Sequence, residues 1–144
     1  MWRELISGLC GDCGFHPPAT VQDIQAAEKS LYVNFPDALQ DLLLETNGVA
    51  NDPFGSRFIL SASDIQTENL NFRSVPTYAK VYMPFDALLF FADAGNGDYF
   101  AFPIVSSGAR DDVFVWNHED DSRYWVAPNL KTFIERWLAG ELAT

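Results

Sequence analysis

The segment that is most informative about the fold is residues 87–102, which read ALLFFADAGNGDYFAF. Ala87 to Ala92 form a continuous apolar run, which is typical of a strand buried on both faces. Gly95 to Asp98 form a turn, because glycine and asparagine tolerate positive φ angles. Tyr99 to Ile104 then resume the strand pattern. The segment therefore predicts an antiparallel hairpin.

Further short strands are predicted on both sides of this hairpin, at Arg57–Leu60, Val113–Trp116 and Arg123–Val126. Tight turns separate the strands of the second half of the chain, and short strands joined by tight turns favour an antiparallel sheet.

Helical patterns flank these strands. Residues 2–9 have apolar side chains at helical spacing, and residues 20–48 read as two helices that meet at Pro36. Ser63 precedes a helical segment near residues 64–70, and Asn129 begins a closing helix with an apolar stripe from Leu130 to Leu138. We therefore predict one α+β domain over residues 1–144, with helices packed around a small twisted, mainly antiparallel sheet. Leu42, Phe90 and Trp137 are its expected core residues.

The composition restricts the possible partners. The 144 residues include 9 Lys and Arg against 20 Asp and Glu, a formal net charge of −11. Such a chain repels phosphate backbones and anionic lipids, so we expect neither a nucleic acid nor a membrane as partner. A basic protein would instead be attracted. The alternative is that the acidity only keeps the protein soluble.

The compartment is predicted from what the chain lacks. No apolar run approaches the roughly 18 residues that span a bilayer, and residues 1–14 do not have the pattern of a secretion signal. We therefore expect a cytoplasmic protein with reduced cysteines. Cys10 and Cys13 form a C-x-x-C pair, but the only other soft ligands are His16 and His118. Two ordinary thiols are predicted, with neither a metal nor a cofactor.

Acidic residues concentrate between residues 86 and 121. This stretch holds one base, Arg110, and eight acids: Asp86, Asp93, Asp98, Asp111, Asp112, Glu119, Asp120 and Asp121. Aromatic residues lie within or beside it, Trp116, Tyr124 and Trp125 among them. Acids around exposed aromatic anchors suit a surface that receives a basic protein. The alternative is that the aromatic side chains belong to the core and the acids to a solvated rim.

The segment Trp116-Asn117-His118-Glu119-Asp120-Asp121 could also suggest catalysis, since histidine beside carboxylates can act as a general base. Neighbouring residues of a strand point to opposite faces, however, so the sequence does not place these side chains around one centre. The chain also lacks the H-x-x-x-H, Walker lysine and G-x-S-x-G patterns. We predict a domain without catalytic activity.

Several of these segments together resemble the SUKH superfamily, the Smi/Knr-type domains. The resemblance covers about residues 18–138 and rests on four stretches in order: the helical pair with Phe35-Pro36 and Asn47-Gly48, the strand and glycine turn of residues 89–102, the aromatic–acidic segment of residues 115–120, and the closing helix of residues 133–138. Leu39 and Leu42-Leu43 stand where the family has Tyr-x-x-Phe after the proline. Nothing in the family pattern matches the Cys10–Cys13 segment.

The resemblance implies an α+β fold without catalysis. Many bacterial members are immunity proteins that bind and neutralise a toxin, often a nuclease, whereas fungal members are regulatory interaction proteins. An acidic inhibitor of a basic nuclease agrees with the charge argument. We therefore expect an immunity protein with a basic toxin as partner, and a regulatory scaffold domain without a toxin is the alternative. The expected contact residues are Asp98, Trp116, His118, Glu119, Asp120 and Asp121.

Overall fold

The computed structural model describes residues 1–144. Its six helices are α1 (Trp2–Leu9), α2 (Val21–Leu31), α3 (Asp37–Glu45), α4 (Ala62–Ser74), α5 (Pro76–Val81) and α6 (Leu130–Leu138). Its eight strands are β1 (Gly14–Phe15), β2 (Val49–Ala50), β3 (Arg57–Ile59), β4 (Leu88–Asp93), β5 (Tyr99–Val105), β6 (Gly108–Ala109), β7 (Val113–Trp116) and β8 (Arg123–Ala127). The predicted α+β class is confirmed.

All strand pairs of the sheet are antiparallel. The order is β1-β2-β3-β4-β5-β7-β8, with β6 paired to β5 as a short hairpin. The predicted hairpin of residues 87–102 is β4–β5, at the centre of this order. Consequently β8 is an edge strand that has a strand neighbour only on the β7 side.

Apolar side chains bury both faces of β4. Leu89 and Phe91 belong to the larger core, which α1, α2, α3 and α6 cover, whereas Leu88 and Phe90 belong to a smaller core on the opposite face. This burial on two faces explains why β4 lacks a polar alternation. The predicted core position of Phe90 is confirmed by its 0% exposure.

Two other predicted core residues have different outcomes. Leu42 is fully buried on α3, as predicted. Trp137 is only half-buried, packed against the rings of Phe58 and Phe100 at the edge of the larger core. The apolar stripe of α6 is buried mainly through Leu130, Phe133 and Ile134.

Local polar contacts set the ends and junctions of the helices. Thr20 and Asp23 form a reciprocal capping box at the start of α2, with N–H···O distances of 3.1 and 3.0 Å. At the junction with α3, the Glu28 carboxylate accepts hydrogen bonds from the Phe35 N–H at 2.6 Å and from the Gln40 amide at 3.3 Å. Because these bonds link α2 to the residues on both sides of Pro36, they hold the two predicted helices in one unit.

Helix α4 is longer than the predicted segment and carries a buried asparagine. The side-chain amide of Asn69 accepts a hydrogen bond from the Phe90 N–H and donates one to the Phe90 carbonyl, both at 2.9 Å. The Asn69 side chain thus forms hydrogen bonds with the backbone N–H and carbonyl of Phe90, where the register between β4 and β5 shifts. Unpaired buried backbone groups are costly, so Asn69 stabilises this irregular point.

The prediction that Cys10 and Cys13 are free thiols is wrong, because the two residues form a disulfide with a Cα–Cα distance of 5.5 Å. Helix α1 ends at Leu9, and the turn at Gly11 and Asp12 folds the chain back. The two sulfur atoms therefore meet on either side of that turn. No helix of the structure is both long and apolar enough to cross a membrane.

Candidate functional site

Two turns of the sheet lie side by side at one end of the strands, and this end of the molecule is here named the acidic edge. Tyr99 of β5 pairs with Trp116 of β7, so the β4–β5 turn at residues 94–98 lies beside the β7–β8 turn at residues 117–122, here named the acidic turn. Antiparallel pairing thus brings Asp98 to the predicted acidic–aromatic segment. This edge contains every residue of the predicted contact surface.

Asp98 is an interior residue that holds the acidic turn in place. It is 2% exposed, and its Oδ1 atom accepts the His118 backbone N–H at 3.0 Å and lies 2.6 Å from the His118 Nδ1 atom. Burial by itself would raise the pKa of Asp98, but the hydrogen bonds from His118 and Thr144 outweigh it and keep that pKa below its ordinary value. Asp98 is therefore ionised, and its carboxylate is engaged in hydrogen bonds inside the fold.

Gly97 explains why the β4–β5 turn needs glycine next to Asp98. Its φ is +99°, and a Cβ atom built on it would lie 2.9 Å from the Cε1 atom of the His118 ring. The imidazole therefore packs directly on the backbone of this turn. Glycine meets both requirements, the positive φ and the close approach.

Asp121 is the second structural acid of this edge. Its carboxylate accepts hydrogen bonds from the Trp116 Nε1–H at 2.8 Å, the Met83 N–H at 2.9 Å and the Arg123 guanidinium at 3.0 Å. Burial opposes ionisation, yet these donors and the Arg123 charge lower the pKa of Asp121. Its φ of 60° is left-handed, a conformation that aspartate tolerates better than most residues.

The chain before β4 is fastened to the same turn. The Tyr82 hydroxyl donates to the His118 carbonyl at 2.8 Å, and the Arg123 guanidinium donates to the Met83 and Pro84 carbonyls at 3.0 Å each. Arg123 also lies over the Phe85 ring, 5.0 Å from its centroid. Residues 82–85 are thus clamped between the acidic turn and the smaller core.

The predicted contact surface is corrected in two ways. Trp116 is 3% exposed and packs in the smaller core, so it is no exposed anchor, and Asp98 is interior as well. Asp121 has a side-chain exposure of only 15%, because its oxygens are bonded to three donors. These residues build the edge from inside, since a buried indole N–H and buried carboxylates need partners.

Three of the six predicted contact residues reach solvent: His118, Glu119 and Asp120. Glu119 and Asp120 are exposed, and the His118 side chain is 38% exposed. Neither acid lies within ion-pair distance of a base, although the Asp120 carboxylate accepts the Ser122 N–H at 2.9 Å. The hydrogen bonds from Ser122 lower the pKa of Asp120. This tip of the turn therefore carries two uncompensated negative charges at neutral pH.

Two exposed aromatic residues follow the acidic turn on the edge strand β8. Tyr124 is 64% exposed and Trp125 is 50% exposed, and Trp125 has the Arg136 guanidinium 6.0 Å from its ring centroid. The sequence marked both as aromatic residues beside the acids, but not as contact residues. Only the position of β8 at the edge of the sheet distinguishes them from Trp116.

The remaining acids of the predicted stretch lie elsewhere. Asp86 and Asp111 are exposed. They precede β4 and β7, so they lie at the opposite end of these strands from the acidic turn. Asp93 is paired with Arg57 at 3.1 Å. The single acidic surface suggested by the sequence is thus divided into two.

The Asp98–His118 pair has the residue types of an acid–base couple. In this structure the only hydrogen bond of the ring is the one to Asp98, and the hydroxyl of Thr144 is bonded to the Asn96 side chain at 2.6 Å. No three His, Cys, Asp or Glu side chains gather into a group that could hold a metal ion. What the observed arrangement does is join the two turns and present the acidic tip.

Comparison with known families agrees with these features. Residues 21–134 match the model of the family SUKH_6, described as SMI1-KNR4 cell-wall, so the match runs from the start of α2 into α6 and includes both turns. No curated protein matches the chain. The helical pair, the glycine turn and the acidic turn thus lie within the matched region, and the chain belongs to the SMI1-KNR4 cell-wall family of the SUKH superfamily.

Proposed function

We propose that this protein is an immunity-type binding domain that captures a basic protein toxin through the acidic turn and the exposed aromatic residues of β8. Domains of this family are generally non-catalytic and act through protein–protein contacts. The observation that carries the proposal is that two uncompensated acids, Glu119 and Asp120, closely precede an edge strand on which Tyr124 and Trp125 are exposed, with their rings on opposite faces of the strand.

The physical roles of these two groups differ. Uncompensated charges at an interface rim mainly raise the association rate, because they steer the encounter with an oppositely charged partner. Large aromatic side chains at the centre of a contact mainly slow dissociation. The net charge of −11 extends the attraction beyond the turn itself. A basic nuclease domain is a partner of this chemistry, since it must carry a cationic surface to bind nucleic acid.

The test begins with affinity capture from the native strain and continues with binding kinetics of the captured protein. The first variant combines Glu119→Gln and Asp120→Asn, which keep the shapes of the side chains and the oxygen that accepts the Ser122 N–H. We expect association to slow several-fold at low salt and the difference to shrink as salt rises. Asp111→Asn is the matched control, an exposed acid at the other edge, and should leave the rate unchanged.

The aromatic part is tested with Trp125→Ala. We expect faster dissociation with little change in the association rate, because the ring is half-exposed and its loss removes little of the core. The melting temperature of each variant shows that the fold is retained. A partner that binds the double charge variant at the wild-type association rate in low salt would refute the proposed surface.

A regulatory scaffold function is the second candidate, and the family description as cell-wall proteins favours it. The two candidates differ in the nature of the captured partner. A toxin arrests growth when expressed alone, and co-expression of this protein restores growth. A partner that is harmless by itself would favour the scaffold function.

A further inference from the structure

An apolar groove lies next to the acidic turn on the face of the smaller core. It has a volume of about 270 Å³ and runs between α5 and residues 82–86. Phe72 and Phe85 lie at its base with exposures of 8% and 3%. Ala79 lies on its α5 side, and Met83, which is 60% exposed, lies on the opposite side.

The groove has an unusual wall. Helix α5 has no buried residue, and Val75, the residue before it, is 37% exposed. Apolar surface of this kind remains in contact with water, and covering it would be favourable by the hydrophobic effect. The volume is just below the roughly 300–1,000 Å³ of pockets that hold small molecules, so it suits a single large side chain.

The other wall is tied to the acidic turn by direct bonds. The Met83 N–H donates to Asp121, and the Tyr82 hydroxyl donates to the His118 carbonyl. The apolar groove and the exposed charges of Glu119 and Asp120 are therefore parts of one connected structure. Asp86, also exposed, lines the groove as well.

We propose that this groove holds one aromatic or large aliphatic side chain of the basic partner, while lysine or arginine residues beside that side chain face the acidic turn. The inference rests on the proposed function and specifies the recognised segment, an apolar residue flanked by cations. Charge complementarity favours a basic occupant: the exposed charges near the groove are the carboxylates of Asp86, Glu119 and Asp120 and one cation, Lys80 of α5. Arg73 also lines the groove, but its guanidinium is bonded to the Leu31 and Leu88 carbonyls. A neutral apolar segment would gain only the contact in the groove, whereas a basic one gains the electrostatic attraction as well.

The proposal is tested with two synthetic peptides, in which a central phenylalanine or a central alanine has two lysines on each side. Binding is followed by the backbone amide signals of the whole protein in NMR titrations. We expect the phenylalanine peptide to bind at least tenfold more tightly, with the largest shifts at Ala79 and Met83. Equal affinities of the two peptides would overturn the proposal.

A variant that fills the groove gives the second measurement. Ala79→Trp places a large ring in the groove from an exposed helix position and should abolish the preference for phenylalanine. Ala26→Trp, on the exposed side of α2, is the matched control and should keep the preference. If the amide spectrum of Ala79→Trp is not native, Ala79→Met is used instead. An undiminished preference in a folded groove variant would also overturn the proposal.

Three further outcomes are distinguishable. If the wild type forms dimers that the groove variant abolishes, a second copy occupies the groove and the proposal is wrong. If the peptides bind alike but Glu119→Gln with Asp120→Asn slows capture of the partner, the groove proposal fails and the proposed function stands. If the peptides are discriminated while that double variant leaves partner association unchanged, the groove binds an apolar side chain, but the role proposed for the acidic turn is wrong in both the function and the inference.

Discussion

Replacement of Asp98 by alanine tests whether the acidic edge is held together from inside. The carboxylate is 2% exposed and bonded to the backbone N–H and the ring Nδ1 atom of His118. A hydrogen bond to a charged group contributes about 1.5–3 kcal/mol, and an unpaired buried donor costs about 1–3 kcal/mol. The His118 ring is 38% exposed, so water can replace part of the loss at the ring. We expect the free energy of unfolding to fall by about 2–4 kcal/mol.

The assay is urea denaturation followed by tryptophan fluorescence, with the midpoint and the slope fitted separately. Asp98→Ala should lower the midpoint without changing the slope, because the surface exposed on unfolding stays the same. The control is Asp120→Ala on the same turn, where the carboxylate is exposed and the midpoint should stay close to that of the wild type. A loss below about 1 kcal/mol for Asp98→Ala would refute the structural role that we assign to this residue.

The pH dependence gives an independent check. The pKa of Asp98 is lower in the folded protein than in an unfolded chain, where an aspartate has a pKa of about 3.9. Its ionised form therefore stabilises the fold above that pH, and this stabilisation is lost as the pH falls towards the folded pKa. The stability difference between wild type and Asp98→Ala should shrink as the pH falls below about 4. A difference that is the same at pH 3 and pH 7 would contradict the assignment.

Three further predictions concern stability. Gly97→Ala should lower the free energy of unfolding by more than the roughly 1–2 kcal/mol that a non-glycine residue costs in a left-handed conformation, because its Cβ would also meet the His118 ring. The control, measured by urea denaturation as well, is Gly55→Ala, which has a positive φ but open space and therefore reports the conformational cost alone. Phe90→Ala should cost about 3–5 kcal/mol, and a loss below about 1 kcal/mol would mean that β4 does not have the burial described. Reduction of the disulfide should cost about 2 kcal/mol or less, because the closed loop is short, and calorimetry with and without reductant measures this; an unchanged melting temperature would show that the pairing does not contribute.

The longer helices and strands, in which the order of apolar residues is informative, could be predicted from the sequence. The stripes of α2, α3 and α6 and the apolar run of β4 follow from periodicity, and the caps at Thr20 and Asn129 follow from local hydrogen bonding. The four elements that escaped prediction are β1, β2, β6 and α5. Three are strands of two residues, too short to show a period, and α5 has no buried stripe. Their existence depends on partners supplied by distant parts of the chain.

The sequence alone predicts an α+β domain, a concentration of eight acids between residues 86 and 121, and a resemblance to the family to which the chain belongs. Which acids and aromatic residues are available to a partner depends on how the chain packs. Trp116 and Trp125 read alike in the sequence, yet one is in the smaller core and the other on an edge strand. Asp121 is withdrawn from solvent by donors on Met83 and Arg123, and the register of antiparallel strands brings Asp98 to His118. A polar side chain is buried where hydrogen-bond or ion-pair partners offset its desolvation cost, and the packing of distant segments supplies those partners.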